Sequence, residues 1–241
     1  MLGYPDQALR RSEEALRLAQ ELRHPFSMAM ALSFAAQVNW LSGELDLAEE
    51  RTKALTELSS EHGFGFWAAQ AAHMQGHVLA SRGQREEGLE QLRKSHAALE
   101  ASGMELGKWG DLAMQAQAYG KLGERDKAMI LLAEAEAEAE KQQMSEHYSE
   151  LYRFKGETLQ TLSKDNHAEA EKCFRKALEV ANRQGAKSYE LKTAMSLSRF
   201  LKDHGKKEEA RAILAEVYNS FTEGFDTSDL KKASALLQEL S

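Results

Sequence analysis

The chain has 241 residues, a formal charge of −7, two prolines and a single cysteine. That length can bury a sizeable core, as one long domain or two ordinary ones. The acidic balance excludes a binder driven by nucleic-acid phosphates or anionic lipid, which would need a basic face, and one cysteine excludes an intrachain disulfide.

Good helix formers dominate the composition, and long β-branched runs are missing. An all-α protein is therefore expected. No apolar stretch approaches the roughly 20 residues of a membrane span. The opening MLGYPDQALRR lacks the apolar core of a signal peptide, so a soluble, cytoplasmic protein is expected.

In chain order, the patterning predicts helices near 6–22, 26–41, 45–62, 65–82, 85–101 and 108–122. They continue near 125–142, 146–163, 167–184, 187–203 and 207–222. A last helix near 228–240 takes Asp226, Thr227 or Ser228 as N-cap. The run AEAEAEAEK at 133–141 reads as an exposed stretch of strong helix formers.

These helices repeat in pairs. A glycine followed five residues later by a small residue recurs as Gly3/Ala8, Gly43/Ala48, Gly83/Gly88, Gly123/Ala128 and Gly205/Ala210. The first four glycines stand forty residues apart. The last interval holds one further unit, with Asp165 and Asn166 at its turn and Ala170 as its small residue. A second small residue precedes each turn: Ala36, Gly76, Ala116, Gly156 and Ser198. Gly63, Gly103 and Gly185 fall where a left-handed C-cap would end the second helix. Small residues at helix crossings let backbones approach, and a hairpin that cannot bury its face alone stacks on its neighbours.

The motif search points away from catalysis. GKLGERDK at 120–127 lacks the Lys-Ser/Thr pair of a phosphate-binding loop, and neither a nucleophile elbow nor an H-E-x-x-H zinc motif occurs. His73 and His77, four apart, could place two imidazoles on one ion. The sequence nominates no third ligand, so they read as polar residues of a helix face. Paired carboxylates such as Glu13/Glu14, Glu49/Glu50, Glu86/Glu87 and Glu208/Glu209 lie around the starts of second helices, where the helix dipole favours them. Cys173, in AEKCFRKAL, reads as a small buried hydrophobe. No enzyme, cofactor or metal is expected.

The small residue late in one helix, the turn glycine and the alanine early in the next resemble the tetratricopeptide repeat, as in AQAYGKLGERDKAMILLAEA. The stock repeat is about 34 residues; the forty-residue period here implies longer helices. A closer resemblance rests on GYPDQALRRSEEALRLAQEL, QGHVLASRGQREEGLEQLRKSHAALEASG, ELYRFKGETL and the terminal FTEGFDTSDLKKASALL. These are similar to the C-terminal repeat region of bacterial ATPase-linked adenylate/guanylate cyclases and LuxR-type, MalT-like regulators. The resemblance implies a right-handed superhelical solenoid of antiparallel helix pairs. It would form a single repeat domain, 1–241, with units near 1–24, 25–63, 64–103, 104–144, 145–185 and 186–224 and a capping helix at 228–240.

In that architecture the first helices line the concave surface. The register then puts Gln37, Trp40, His73, His77, Gln117, Arg153, Glu157, Arg199 and Lys202 on the inner face. Such a groove could hold a peptide or its carboxylate. Trp67 and Trp109 are expected in the core. The function implied is a non-catalytic interaction scaffold, the sensor arm of a larger bacterial signalling or transcription regulator. Its partner would be a protein, a peptide or upstream domains of the same polypeptide, with no nucleic acid and no membrane. The alternative is an inducer-sensing domain that binds a small molecule in the concave face. GYPDQAL opens on a turn between paired helices, so the chain reads as a fragment whose helix 6–22 lacks a neighbour. Leu9 and Leu16 are its outward-facing apolar residues, expected to be exposed or covered by a partner, and a homo-oligomer through that hairpin is a further expectation.

Overall fold

The structure is a computed structural model that describes residues 2–101, 108–141 and 148–241. Twelve helices and no strand occur among the described residues. They are α1 (Pro5–Leu22), α2 (Pro25–Leu41), α3 (Leu45–His62), α4 (Gly65–Ser81), α5 (Arg85–Ala101) and α6 (Lys108–Lys121), followed by α7 (Arg125–Lys141) and α8 (Tyr148–Leu162). The series ends with α9 (His167–Arg183), α10 (Lys187–Asp203), α11 (Lys207–Tyr218) and α12 (Ser228–Glu239). None of them is long and apolar enough to cross a membrane.

The turn glycines set the boundaries. Gly43 has φ 79°, a left-handed conformation that a Cβ would strain. Behind it, the Glu44 N–H donates to the Asn39 carbonyl at 2.8 Å and the Gly43 N–H to the Trp40 carbonyl at 3.1 Å, closing the end of α2. The same pair of bonds recurs at Gly83, Gly123 and Gly205. Gly63 and Gly185 are left-handed at the ends of second helices; Gly103 lies outside the described residues. In the fifth unit, where the turn glycine is replaced, a 3-10 turn over Lys164–Asn166 makes the connection. The Ser163 side chain accepts from the Asp165 N–H there, at 3.2 Å. Helix α11 ends at Tyr218, four residues before the expected 222, and Ser220 Oγ donates back to the Val217 carbonyl at 2.7 Å. Thr227 is the residue that caps α12.

The small markers mediate close contact. A Cβ on Gly88 would stand 2.8 Å from the Ala80 backbone nitrogen, so α5 crosses α4 backbone to backbone. Ser198, the only hydroxyl at the equivalent place before the turn, donates to the Ala210 carbonyl at 2.8 Å and so joins α10 to α11.

The chain divides into two compact units, one of Pro5–Glu105 and the other of Leu106–Ser241 with Met1–Tyr4. In the first unit each helix packs on the next, and α2 also lies against α4. Its core includes Leu16, Leu32, Leu55 and Trp67. Leu16 is thus buried, and Leu9 half-buried, against the expectation that both face outward. The reason is the phase of α1: Leu16 shares the stripe of Ser12 and Ala19 that packs on α2. Leu18 and Leu22 are the exposed apolar residues of α1 instead.

In the second unit α6 packs with α7 and α8, α8 with α9, and α10 with α8, α9, α11 and α12. Its core runs from Leu159 through Phe174, Leu197 and Leu214 to Leu230 and Leu240. Phe174 is fully buried and fills the space left by Gly156, where a Cβ would stand 2.8 Å from its ring. Cys173 is free and buried, as expected, and burial pushes its thiol up to about 11 despite the opposing charge of Lys155. Such a thiol is a poor nucleophile.

Candidate functional site

The first unit carries four of the inner-face candidates on two helices, α2 and α4. Gln37 is exposed on α2. His77 holds the same register one repeat later, on α4, and is buried. What covers it is α2: the Trp40 ring lies 4.7 Å from the His77 ring, and Trp40 Nε1 donates to Ser81 Oγ at 3.0 Å. His73, one turn earlier, meets His77 with Nε2 to Nε2 at 3.0 Å and rings at 85°. Trp40, His73 and His77 therefore form one aromatic cluster, and Gln37 stands outside it.

Around Gln37 lies a surface that the register argument did not anticipate. Phe26, Met30 and Phe34, spaced four apart on α2, are 48%, 44% and 61% exposed. With Leu18 and Leu22 of α1 they put five large apolar side chains in water. The signal was in the sequence PFSMAMALSF, but α2 is apolar on most of its circumference, which hides a stripe within it. On α4 the counterparts Phe66, Gln70 and Met74 are only half-buried or less exposed, and one of them is polar. Phe26 itself touches α4's leading edge, with its ring 5.6 Å from Trp67. Trp67 and Trp109 are buried, as expected.

In the second unit the inner-face residues satisfy one another. Arg153 Nε and Nη2 donate to the two oxygens of Glu150, each at 2.9 Å, and Nη1 donates to Glu157 Oε1 at 2.7 Å. Glu157 also accepts from Ser196 Oγ at 2.6 Å and from the Gln117 amide. Gln117, Glu157 and Ser196 bring α6, α8 and α10 to one polar ladder. Burial opposes the Arg153 charge, yet Glu150 and Glu157 outweigh it and hold its pKa above the ordinary arginine range. Tyr189, buried beside them, is pushed upward by burial and then by the Glu150 charge. This arginine is occupied, so its expected role as a carboxylate receptor is not what the geometry offers. Glu150 is the residue the register missed; the pattern E-x-x-R-x-x-x-E on α8 was the available signal.

Arg199 and Lys202 lie apart from that ladder, both exposed at the end of α10. With Asp203, Lys232 and Glu239 they line a groove of about 400 Å³ against α12. Lys202 donates to Glu239 at 2.8 Å across it, which lowers the Glu239 pKa. This arrangement of three cations and two anions can take an acidic side chain or a chain-terminal carboxylate.

The family model of the FAT domain matches residues 14–232. No curated protein matches the chain. The chain belongs to the FAT domain family, whose members are helical-repeat domains of scaffold type that generally mediate protein interactions.

Proposed function

We propose that this FAT-domain chain is a non-catalytic interaction module, and that the surface of Phe26, Met30 and Phe34 receives a helix of its partner. The supporting observation is the contrast between Gln37, exposed amid that stripe, and His77, its counterpart beneath Trp40. The repeat stack supplies the occupant's chemistry. A helix lies against α4 at this register, so the matching surface on α2 fits a helix with an apolar and aromatic face, laid down as α2 is on α4. Exposed apolar residues in such a contiguous stripe mark interaction sites rather than ordinary surface.

The resemblance to the repeat regions of bacterial cyclases and LuxR-type regulators supports a finer reading. In it the chain is one repeat domain, the cytoplasmic sensor arm of a larger signalling or transcription regulator, and its partner is a protein or an upstream domain. The charged lining of the α10–α12 groove favours a peptide over the alternative of a small-molecule inducer, which would want an apolar pocket.

The test uses a labelled synthetic peptide carrying residues 24–42, with lysines added for solubility, titrated into the full chain and followed by fluorescence anisotropy. Saturable binding that weakens at least about tenfold in Met30→Glu/Phe34→Glu is the expected result. Binding indifferent to that pair of substitutions, or no saturable binding, would overturn the reading. Sedimentation of the chain alone covers self-association: a dimer dissolved by the same substitutions would give the surface to a second copy instead.

A further inference from the structure

The aromatic cluster on α2 and α4 has a second property. Two imidazole nitrogens that bind one ion at about 2.0–2.1 Å stand roughly 2.9–3.0 Å apart if the ion sees them at a right angle, and roughly 3.3–3.4 Å apart if it sees them tetrahedrally. His73 Nε2 and His77 Nε2 are 3.0 Å apart. Their four-residue spacing on α4 keeps both rings on one side of a rigid helix. His77 is further held by Trp40, itself fixed by Ser81. The separation is close to what two imidazoles on one ion need, and imidazole suits zinc, copper and nickel.

We propose that His73 and His77 form a two-imidazole site for a divalent transition-metal cation of the Zn²⁺, Ni²⁺ or Cu²⁺ class. The ion takes the place of the proton that the two Nε2 atoms otherwise share. That proton is released to solvent or taken up at an Nδ1 atom, which leaves both Nε2 lone pairs to the ion.

A second histidine pair is drawn from two helices instead of one face of a single helix. His204 Nε2 and His167 Nδ1 are 2.7 Å apart and join the start of α9 to the end of α10, and His204 Nδ1 lies 2.7 Å from the Phe200 carbonyl. That pair is a hydrogen bond and serves as an internal control.

The experiment is a titration of the full chain with Ni²⁺, which avoids thiol oxidation by copper, read by tryptophan fluorescence. Trp40 lies against His77, so a bound paramagnetic ion should quench it with one-to-one saturation. Trp40→Phe should remove most of the quench. His73→Gln and His77→Gln should each weaken binding at least about tenfold, as loss of one of two ligands requires. His204→Ala should leave it unchanged, and Zn²⁺ should compete for the same site. His73→Gln carries the test if His77→Gln unfolds, because His73 is only half-buried. Quenching that survives His73→Gln, that disappears with His204→Ala, or that never saturates would overturn the site.

Discussion

One repeat register is solved in opposite ways in the two units. On α8, Glu157 accepts from Gln117, Arg153 and Ser196 and is closed off. On α2, Gln37 stands in water beside Phe26, Met30 and Phe34. The helix geometry is the same, so the backbone does not make the difference. What differs is whether another first helix lies across the position and whether the side chains there can satisfy it. A closed register stabilises the fold; an open one is available to a partner.

The sharpest contrast uses one residue type. Phe174 is fully buried against Gly156, whereas Phe34 is 61% exposed. Phe174→Ala should destabilise the chain by about 4 kcal/mol, the cost of lost transfer energy plus a cavity, measured as a shift of the urea unfolding transition. A loss below about 1 kcal/mol would mean that the core relaxes around the cavity and that the second unit is not closely packed.

The next effect belongs to the polar ladder. Arg153→Ala leaves Glu150 and Glu157 without their guanidinium in a buried place. About 3 kcal/mol of stability should go with it, because the cost is that of stranded carboxylates rather than of one lost bond. The raised Arg153 pKa keeps its stabilising charge present below the unfolded arginine value and loses it only as pH rises through the still higher folded value. Wild-type stability should therefore show no titration of this arginine between pH 5 and 10, roughly the range over which arginine stays charged. If Arg153→Ala costs no more than an exposed ion pair such as Arg17–Glu21, the ladder is not a structural element.

How much of this could be read from the residues alone follows from what each feature needs. The helix pairs were legible because glycine and small-residue markers act locally: Gly43 must be left-handed, Gly88 must let a backbone approach. The inner-face register was also legible, since Gln37, His77, Gln117 and Glu157 follow from one period. Their partners were not. Arg153 looked like a ligand for an incoming carboxylate until Glu150, three residues before it, and Glu157, four after, were seen to engage all three of its nitrogens. The exposed stripe was missed for a different reason. Periodicity distinguishes an apolar face from a polar one, and α2 has too little polar face to show which apolar residues are left over. The phase of α1 failed likewise at Leu16, which turned out to share the buried stripe of Ala19.

Cys173 tests the closed unit kinetically. Its thiol, pushed up to about 11 by burial, stays protonated through neutral pH. Any stability it contributes is fully present below the unfolded value near 8.5 and is lost as pH rises through the folded one. At pH 8 it should react with a disulfide reagent at least about 100-fold more slowly than a free cysteine, as its thiolate fraction dictates. Urea should restore the ordinary rate. Fast labelling in buffer would show that the unit opens around α9 far more readily than its packing implies.

The smallest expected effect carries the most weight for the open register. Phe34→Ser removes a large aromatic ring from α2, yet that ring is mostly in water. Its loss should change the unfolding transition by no more than about 0.5 kcal/mol, the usual range for surface substitutions. A residue of this size that contributes so little to its own fold spends its apolar surface on something else, and the peptide titration names what. A destabilisation above about 2 kcal/mol would instead place Phe34 among the residues that hold α2 in position. The stripe would then be an imperfectly covered part of the core, and the difference between the two units would be one of degree rather than of role.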